Sequence, residues 1–219
     1  MYQLILKDIL LQKKRLLFFP LVHTIFVVTV LNNLSNTFVI ASIVITYMMI
    51  QTAVVYEDMN NTEVVINSLP IKKAKIVLTR YLSVFVYLGI SIASYLIVMG
   101  AINVLHLPFS VDSIAITNFF FALLGLSFII SSYLPIFFKY GYVKSKIFHI
   151  FFMMAAFFIP TLITTFIKTN PDSVIVEFVL NFLQTTPDLI MNFIVLLIAA
   201  AFMGISYFLS VNFYKNREF

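Results

Sequence analysis

An all-α, polytopic membrane protein with six transmembrane helices and both termini cytoplasmic is the fold that this 219-residue sequence predicts. Two observations carry that prediction. Apolar residues make up 62% of the chain and charged residues 11%, against roughly 45–50% and 25% in a soluble domain, so a water-soluble core could not hide the apolar surface. Six apolar stretches also stand out, each close to the roughly 20 residues that cross a bilayer: about 16–34, 37–56, 76–103, 114–138, 147–167 and 189–213. Inside lipid only helices and closed barrels satisfy the backbone, and these runs are too long and too uniformly apolar for alternating barrel strands.

The first stretch follows Lys13, Lys14 and Arg15, as in a signal peptide, but it runs on without a small-residue cleavage site and reads as a retained span. Ahead of it, residues 1–15 place Tyr2, Ile5, Leu6, Ile9 and Leu10 on one helical side, with Lys7, Lys14 and Arg15 able to reach lipid headgroups. That pattern predicts an interfacial helix. Between the second and third spans, residues 57–75 form a polar connection. Asn61 or Thr62 can cap a short helix with Glu63 in its first turn, Pro70 stops it, and Ser68 and Pro70 suit the start of the next span. Acidic residues come first and basic ones follow, a surface suited either to docking something polar or simply to water.

Gly125, Ser127 and Ser131 in the fourth span read as small residues that ease helix packing. The last outer connection, 168–188, is long, and Val174, Phe178 and Phe182 recur at helical spacing with Ile175 and Val179 beside them. A short amphipathic helix at the outer membrane face is expected there.

Orientation follows from the cations. Lys7, Lys13, Lys14 and Arg15 precede the first span; Lys72, Lys73, Lys75 and Arg80 lead into the third; Lys139, Lys144 and Lys146 separate the fourth and fifth; Lys215 and Arg217 end the chain. Thirteen of the 14 thus share one side, and only Lys168 falls on the other. The positive-inside rule makes that side cytoplasmic, and only an even number of spans agrees. The net charge of +5 therefore records topology and gives no reason to expect a nucleic-acid partner.

Several chemistries find no residues to carry them. The chain has no Cys, hence no thiolate site or cysteine nucleophile. Three scattered histidines, His23, His106 and His149, and no paired carboxylates on one helical face give no metal set. The five glycines form no phosphate-binding Gly-x-x-x-x-Gly-Lys-Ser/Thr loop. An intramembrane hydrolase could use Gly125-Leu126-Ser127, yet a nucleophilic serine needs a base within reach, and His149 sits at the wrong depth. An ion-coupled carrier keeps ionisable groups within the membrane, and away from their ends these spans hold only His23, better suited to a buried hydrogen bond.

One stretch is more specific. A span runs into Glu57-Asp58, then Asn61-Thr62-Glu63, then Ser68-Leu69-Pro70-Ile71, then Lys72, Lys73 and Lys75 leading to Arg80-Tyr81-Leu82-Ser83. This pattern resembles the permease subunits of ABC-2 type ABC transporters, and most of all the small six-span permeases of Gram-positive bacteria, including those of phenol-soluble modulin exporters. The resemblance covers the chain in topology and residues 56–83 in motif. It implies a permease in the cell membrane that exports an amphipathic peptide or lipid-like compound and carries no catalytic residue or cofactor. ATP and Mg would sit on separate cytoplasmic P-loop ATPase subunits, and a second permease, identical or different, would complete the route. Glu57, Asp58, Asn61, Thr62, Glu63, Ile66, Leu69 and Pro70 would belong to the coupling helix that fits the ATPase. Residues 1–15 would match the family's amino-terminal interface helix, and 168–188 its extracellular re-entrant helices. The other reading is a stand-alone accessory or immunity protein without an ATPase.

Overall fold

The computed structural model describes residues 2–12, 18–30, 36–60, 62–107, 109, 115–170 and 173–217, with the side chains of some, Glu63, His149, Lys168 and residues 152–161 among them, outside that description. Eight helices appear in the described residues, and no strand: α1 (Tyr2–Leu11), α2 (Phe18–Val30), α3 (Thr37–Met59), α4 (Thr62–Ser68), α5 (Lys73–Val104), α6 (Ile116–Thr169), α7 (Val174–Thr185) and α8 (Asp188–Lys215). Four helical segments are long and apolar enough to cross a bilayer: Thr37–Met59, Lys73–Val104, Ile116–Phe148 and Asp188–Lys215. The described part of the first apolar stretch, α2, is shorter at 13 residues, about 20 Å at 1.5 Å per residue.

The bundle is organised around α3, which packs against α2, α5 and α6, while α6 pairs extensively with α8. The residues of α3 explain its place. It is apolar on every side, and Phe38, Ala41, Ile45, Met49, Ile50, Ala53 and Val54 are buried along its length, as expected of a helix enclosed by others. Small residues set how closely its neighbours approach: a Cβ added to Gly125 of α6 would lie 2.6 Å from Ile43 Cδ1. Gly125 therefore does ease packing between α3 and α6. Aromatic edges fill the remaining seams, with Phe38 against Tyr95 and Tyr47 against Tyr133 at centroid separations of 5.1 and 5.8 Å, the T-shaped arrangement that ring quadrupoles favour.

Apart from Arg80, the buried polar side chains among the described residues are neutral, and most are hydrogen-bonded. The Tyr81 hydroxyl lies 2.5 Å from Ser206 Oγ and 2.9 Å from Ser210 Oγ, and Ser206 Oγ donates to the Ser131 carbonyl at 2.8 Å, tying α5, α8 and α6 together. Thr46 Oγ1 donates to Ser91 Oγ across α3 and α5 at 3.1 Å. His23 is half-buried, with Nδ1 2.7 Å from the Phe19 carbonyl oxygen one turn earlier. Ser127 Oγ donates to the Leu124 carbonyl at 2.7 Å.

Three local readings of the sequence change. The connection between the fourth and fifth apolar stretches is helical on both sides of a one-residue break at Gly141, so α6 runs as two limbs, 116–140 and 142–169. Gly141 has φ 75°, a value that costs a residue with a Cβ 1–2 kcal/mol or so. Pro70 does not begin the next helix: the Ile71 N–H bonds to the Leu69 carbonyl at 2.7 Å, a three-residue turn centred on the proline, and α5 starts at Lys73. Ser68 does not cap α5 either, because its hydroxyl bonds back to the Val65 carbonyl at 2.8 Å.

Candidate functional site

The described residues among those that the sequence singled out gather at the end of the bundle where α3 gives way to α4 and α5. There α1, the last turn of α3, the inner side of α4, the first turns of α5, the middle of α6 and the last turn of α8 converge on one cleft, lined by Leu4, Lys7, Glu57, Ile66, Ile76, Thr79, Arg80, Phe137, Phe138 and Tyr214. Its free volume of about 30 Å³ holds roughly one or two waters. The cleft is therefore no substrate chamber, and its side chains serve one another.

At its centre Glu57, the third residue from the end of α3, pairs with two cations from different helices: Lys7 of α1 through Oε1 and Arg80 of α5 through Oε2. The Glu57 and Arg80 side chains are 12% and 6% exposed. So deep a charge persists only when paired, which explains why Arg80 is tolerated eight residues into α5. Lys7, which its place in the sequence lets reach lipid headgroups, is held by Glu57. One turn further on, Gln12 is buried and its Nε2 donates to the Met49 carbonyl and the Tyr87 hydroxyl, each at 3.1 Å. Lys7 against Glu57 and Gln12 against Met49 lay α1 antiparallel along the last turns of α3.

The short helix α4 has two different sides. Ile66 is 7% exposed and faces the cleft. Beside it, Asn67 is half-buried and its Nδ2 donates to the Tyr214 hydroxyl of α8 at 3.0 Å. Outward lie Val64 (63%), Val65 (59%) and Leu69 (46%), with Met59 (71%) at the end of α3. These four apolar side chains stand beside exposed Asp58 and Pro70. Among the other predicted site residues, Thr62 is half-buried at the start of α4, Glu63 lies on α4 with its side chain outside the described residues, and Asn61 is outside them altogether.

The sequence names Glu57 and Ile66 for contact with an ATPase, whereas in the structure both face the cleft; it does not point to Lys7 and Arg80 as the partners of Glu57, nor to the pairing of Asn67 with Tyr214. Arg80 carried a usable signal: an arginine set into an apolar helix demands a carboxylate, and carboxylates on that side are few. Tyr214 carried none, being one of 11 tyrosines in the chain and 147 residues from its partner.

A family model described as ABC-2 family transporter protein matches residues 3–215. The chain belongs to the ABC-2 transporter family. It is accordingly a membrane-embedded permease component of an ABC transporter, a class that works with ATPase components. No curated protein and no solved structure matches it.

Proposed function

We propose that this ABC-2 protein is the six-span permease of an ATP-driven exporter in the cell membrane of a Gram-positive bacterium, with both termini cytoplasmic. Its coupling element is α4, docked on a cytoplasmic P-loop ATPase that binds ATP and Mg. The observation that carries the reading is the two-sidedness of α4: Ile66 and Asn67 turn into the bundle, while Val64, Val65 and Leu69 present an apolar face at the end where the cations collect. An apolar patch rimmed by polar residues marks an interaction site, and at the water side of a membrane the fitting occupant is a soluble partner. The six spans are the four long segments with α2 and the second limb of α6. Two such permeases, identical or different, enclose the route, and the cargo is an amphipathic peptide of the phenol-soluble modulin kind or a lipid-like compound.

Closure of two ATPases on ATP would then push α4, and through it the helices that share the charged cleft. The test is to place charges on the docking face. Because Val64 and Leu69 are exposed, Val64→Asp with Leu69→Asp leaves the bundle intact, and the doubly substituted chain is expected to insert normally yet lose ATPase co-purification. Retention of the ATPase at the wild-type ratio would overturn the assignment of α4.

A further inference from the structure

Resting on that reading of α4, we infer that Tyr214 is a positioning residue of the transport cycle: it carries the displacement of α4 to α8, the last span, through its hydroxyl bond to Asn67.

The case begins with what α4 can move. It is seven residues long, far too short to hold its own shape without packing, so its position is set by its packing on α3 and by the side chains it turns inward, Ile66 and Asn67 among those described. Ile66 makes an apolar contact in the cleft, which has no preferred direction. Asn67 makes a directed one, because an amide bond to a hydroxyl weakens steeply with distance and angle, and it reaches 147 residues along the chain to the end of α8.

Tyr214 is built to receive that displacement and pass it on. Its ring is 1% exposed and sits edge-on to Phe138 of α6, with centroids 5.1 Å apart. The Lys73 ammonium, from the first turn of α5, lies 5.6 Å from the ring centroid and donates to the carbonyls of Lys215 and Arg217 at 3.3 and 3.4 Å. Lysine at these carbonyls suits the negative end of the α8 dipole. The Arg217 guanidinium in turn lies where a side chain on Gly141 would be, 2.9 Å from an ideal Cβ, at the break between the two limbs of α6. The end of α8 is therefore held to α5 by Lys73 and to α6 by Phe138 and Gly141, while Asn67 ties it to α4. Of these ties only Asn67 lies on the helix proposed to touch the ATPase. A push on α4 thus reaches α8 at Tyr214, and α6 through the ring of Tyr214 and the tail that crosses its break.

The chain has no cysteine, so introduced cysteines on it are unique. In the complex purified with its ATPase, a bimane label at Val64→Cys reports on α4, and one at exposed Asn212→Cys reports on α8; background from the ATPase is read from the unsubstituted chain. Fluorescence is compared without nucleotide and with ATP trapped by vanadate. In the otherwise wild-type complex both labels are expected to respond. Tyr214→Phe keeps the ring packed and removes only the hydroxyl, so the α4 response should persist while the α8 response is abolished. Asn67→Ala should do the same, and both substitutions together should do no more than either alone, the mark of a shared interaction. An α8 response that survives Tyr214→Phe overturns the inference and leaves the coupling reading intact. An α4 label that never responds to nucleotide overturns the coupling reading itself, and the inference with it.

Discussion

The two halves of this bundle are held by different physics. At the α4 end a carboxylate, Glu57, joins Lys7 and Arg80 in a narrow cleft, and the neighbouring contacts involve Lys73 and Arg217. Beyond that cleft, beginning with Tyr81–Ser206 directly next to Arg80 and continuing at Thr46–Ser91, hydroxyls bond hydroxyls and carbonyls, and aromatic edges fill the seams. The difference follows from cost. A charge at the centre of a bilayer is expensive, whereas at the water side it can be desolvated part-way and still repaid by a partner. Ion pairs are also all-or-none in a way that apolar seams are not: removing one partner strands the other. The end that carries the proposed ATPase contact is thus the one built from strong, directional contacts, and the rest of the bundle is built from weaker ones.

The comparison can be broken at its strongest point first. Glu57→Gln leaves Arg80 buried without its carboxylate, and a loss of about 3–5 kcal/mol is expected, read as a large drop in the thermal unfolding midpoint in detergent. If the midpoint barely moves, the ion pairs are not what holds the α4 end. Next in size is overpacking of the α3–α6 seam: Gly125→Val must displace Ile43 and should cost about 1–3 kcal/mol, which the same melting experiment measures. Deleting one hydroxyl from the neutral network should matter less. For Ser206→Ala we expect about 0.6 kcal/mol and at most about 2, so a penalty rivalling that of Glu57→Gln would erase the distinction between the two regions. Smallest of all is Ser127→Ala, whose hydroxyl only bonds back to the carbonyl of Leu124. Transport and stability should both be unchanged, and loss of activity in this variant would revive the hydrolase reading. Separate from stability, Glu63→Lys is expected to uncouple ATP hydrolysis from export while insertion stays normal, which a vesicle transport assay beside an ATPase assay would resolve.

Much of the architecture could be read from the chain because it depends on local composition. Apolar runs predict the long helices α3, α5 and α8 to within a few residues, and Asn61 or Thr62 with Pro70 brackets the short helix observed as Thr62–Ser68. The helical recurrence of Val174, Phe178 and Phe182 marked α7, observed as Val174–Thr185. What the chain hid is non-local or conformational. The pairing of Asn67 with Tyr214 spans 147 positions, and no periodicity points from one to the other. The break in α6 was concealed because Lys139, Lys144 and Lys146 suggested a loop, whereas each is compatible with helix and only Gly141 departs from it. Lys7 misled because a lysine before an apolar span usually meets headgroups; the carboxylate that captures it lies 50 residues away.

Crosslinking tests the central claim most directly. A photoactivatable crosslinker on Val64→Cys of α4, 63% exposed, is compared with the same reagent on Val104→Cys at the opposite end of α5, 78% exposed, each in native membranes. The account predicts an adduct between the Val64 position and a P-loop ATPase, identified by mass spectrometry, and none from the Val104 position. An adduct from Val104, or no ATPase adduct from Val64 in a membrane that contains the assembled transporter, would contradict it.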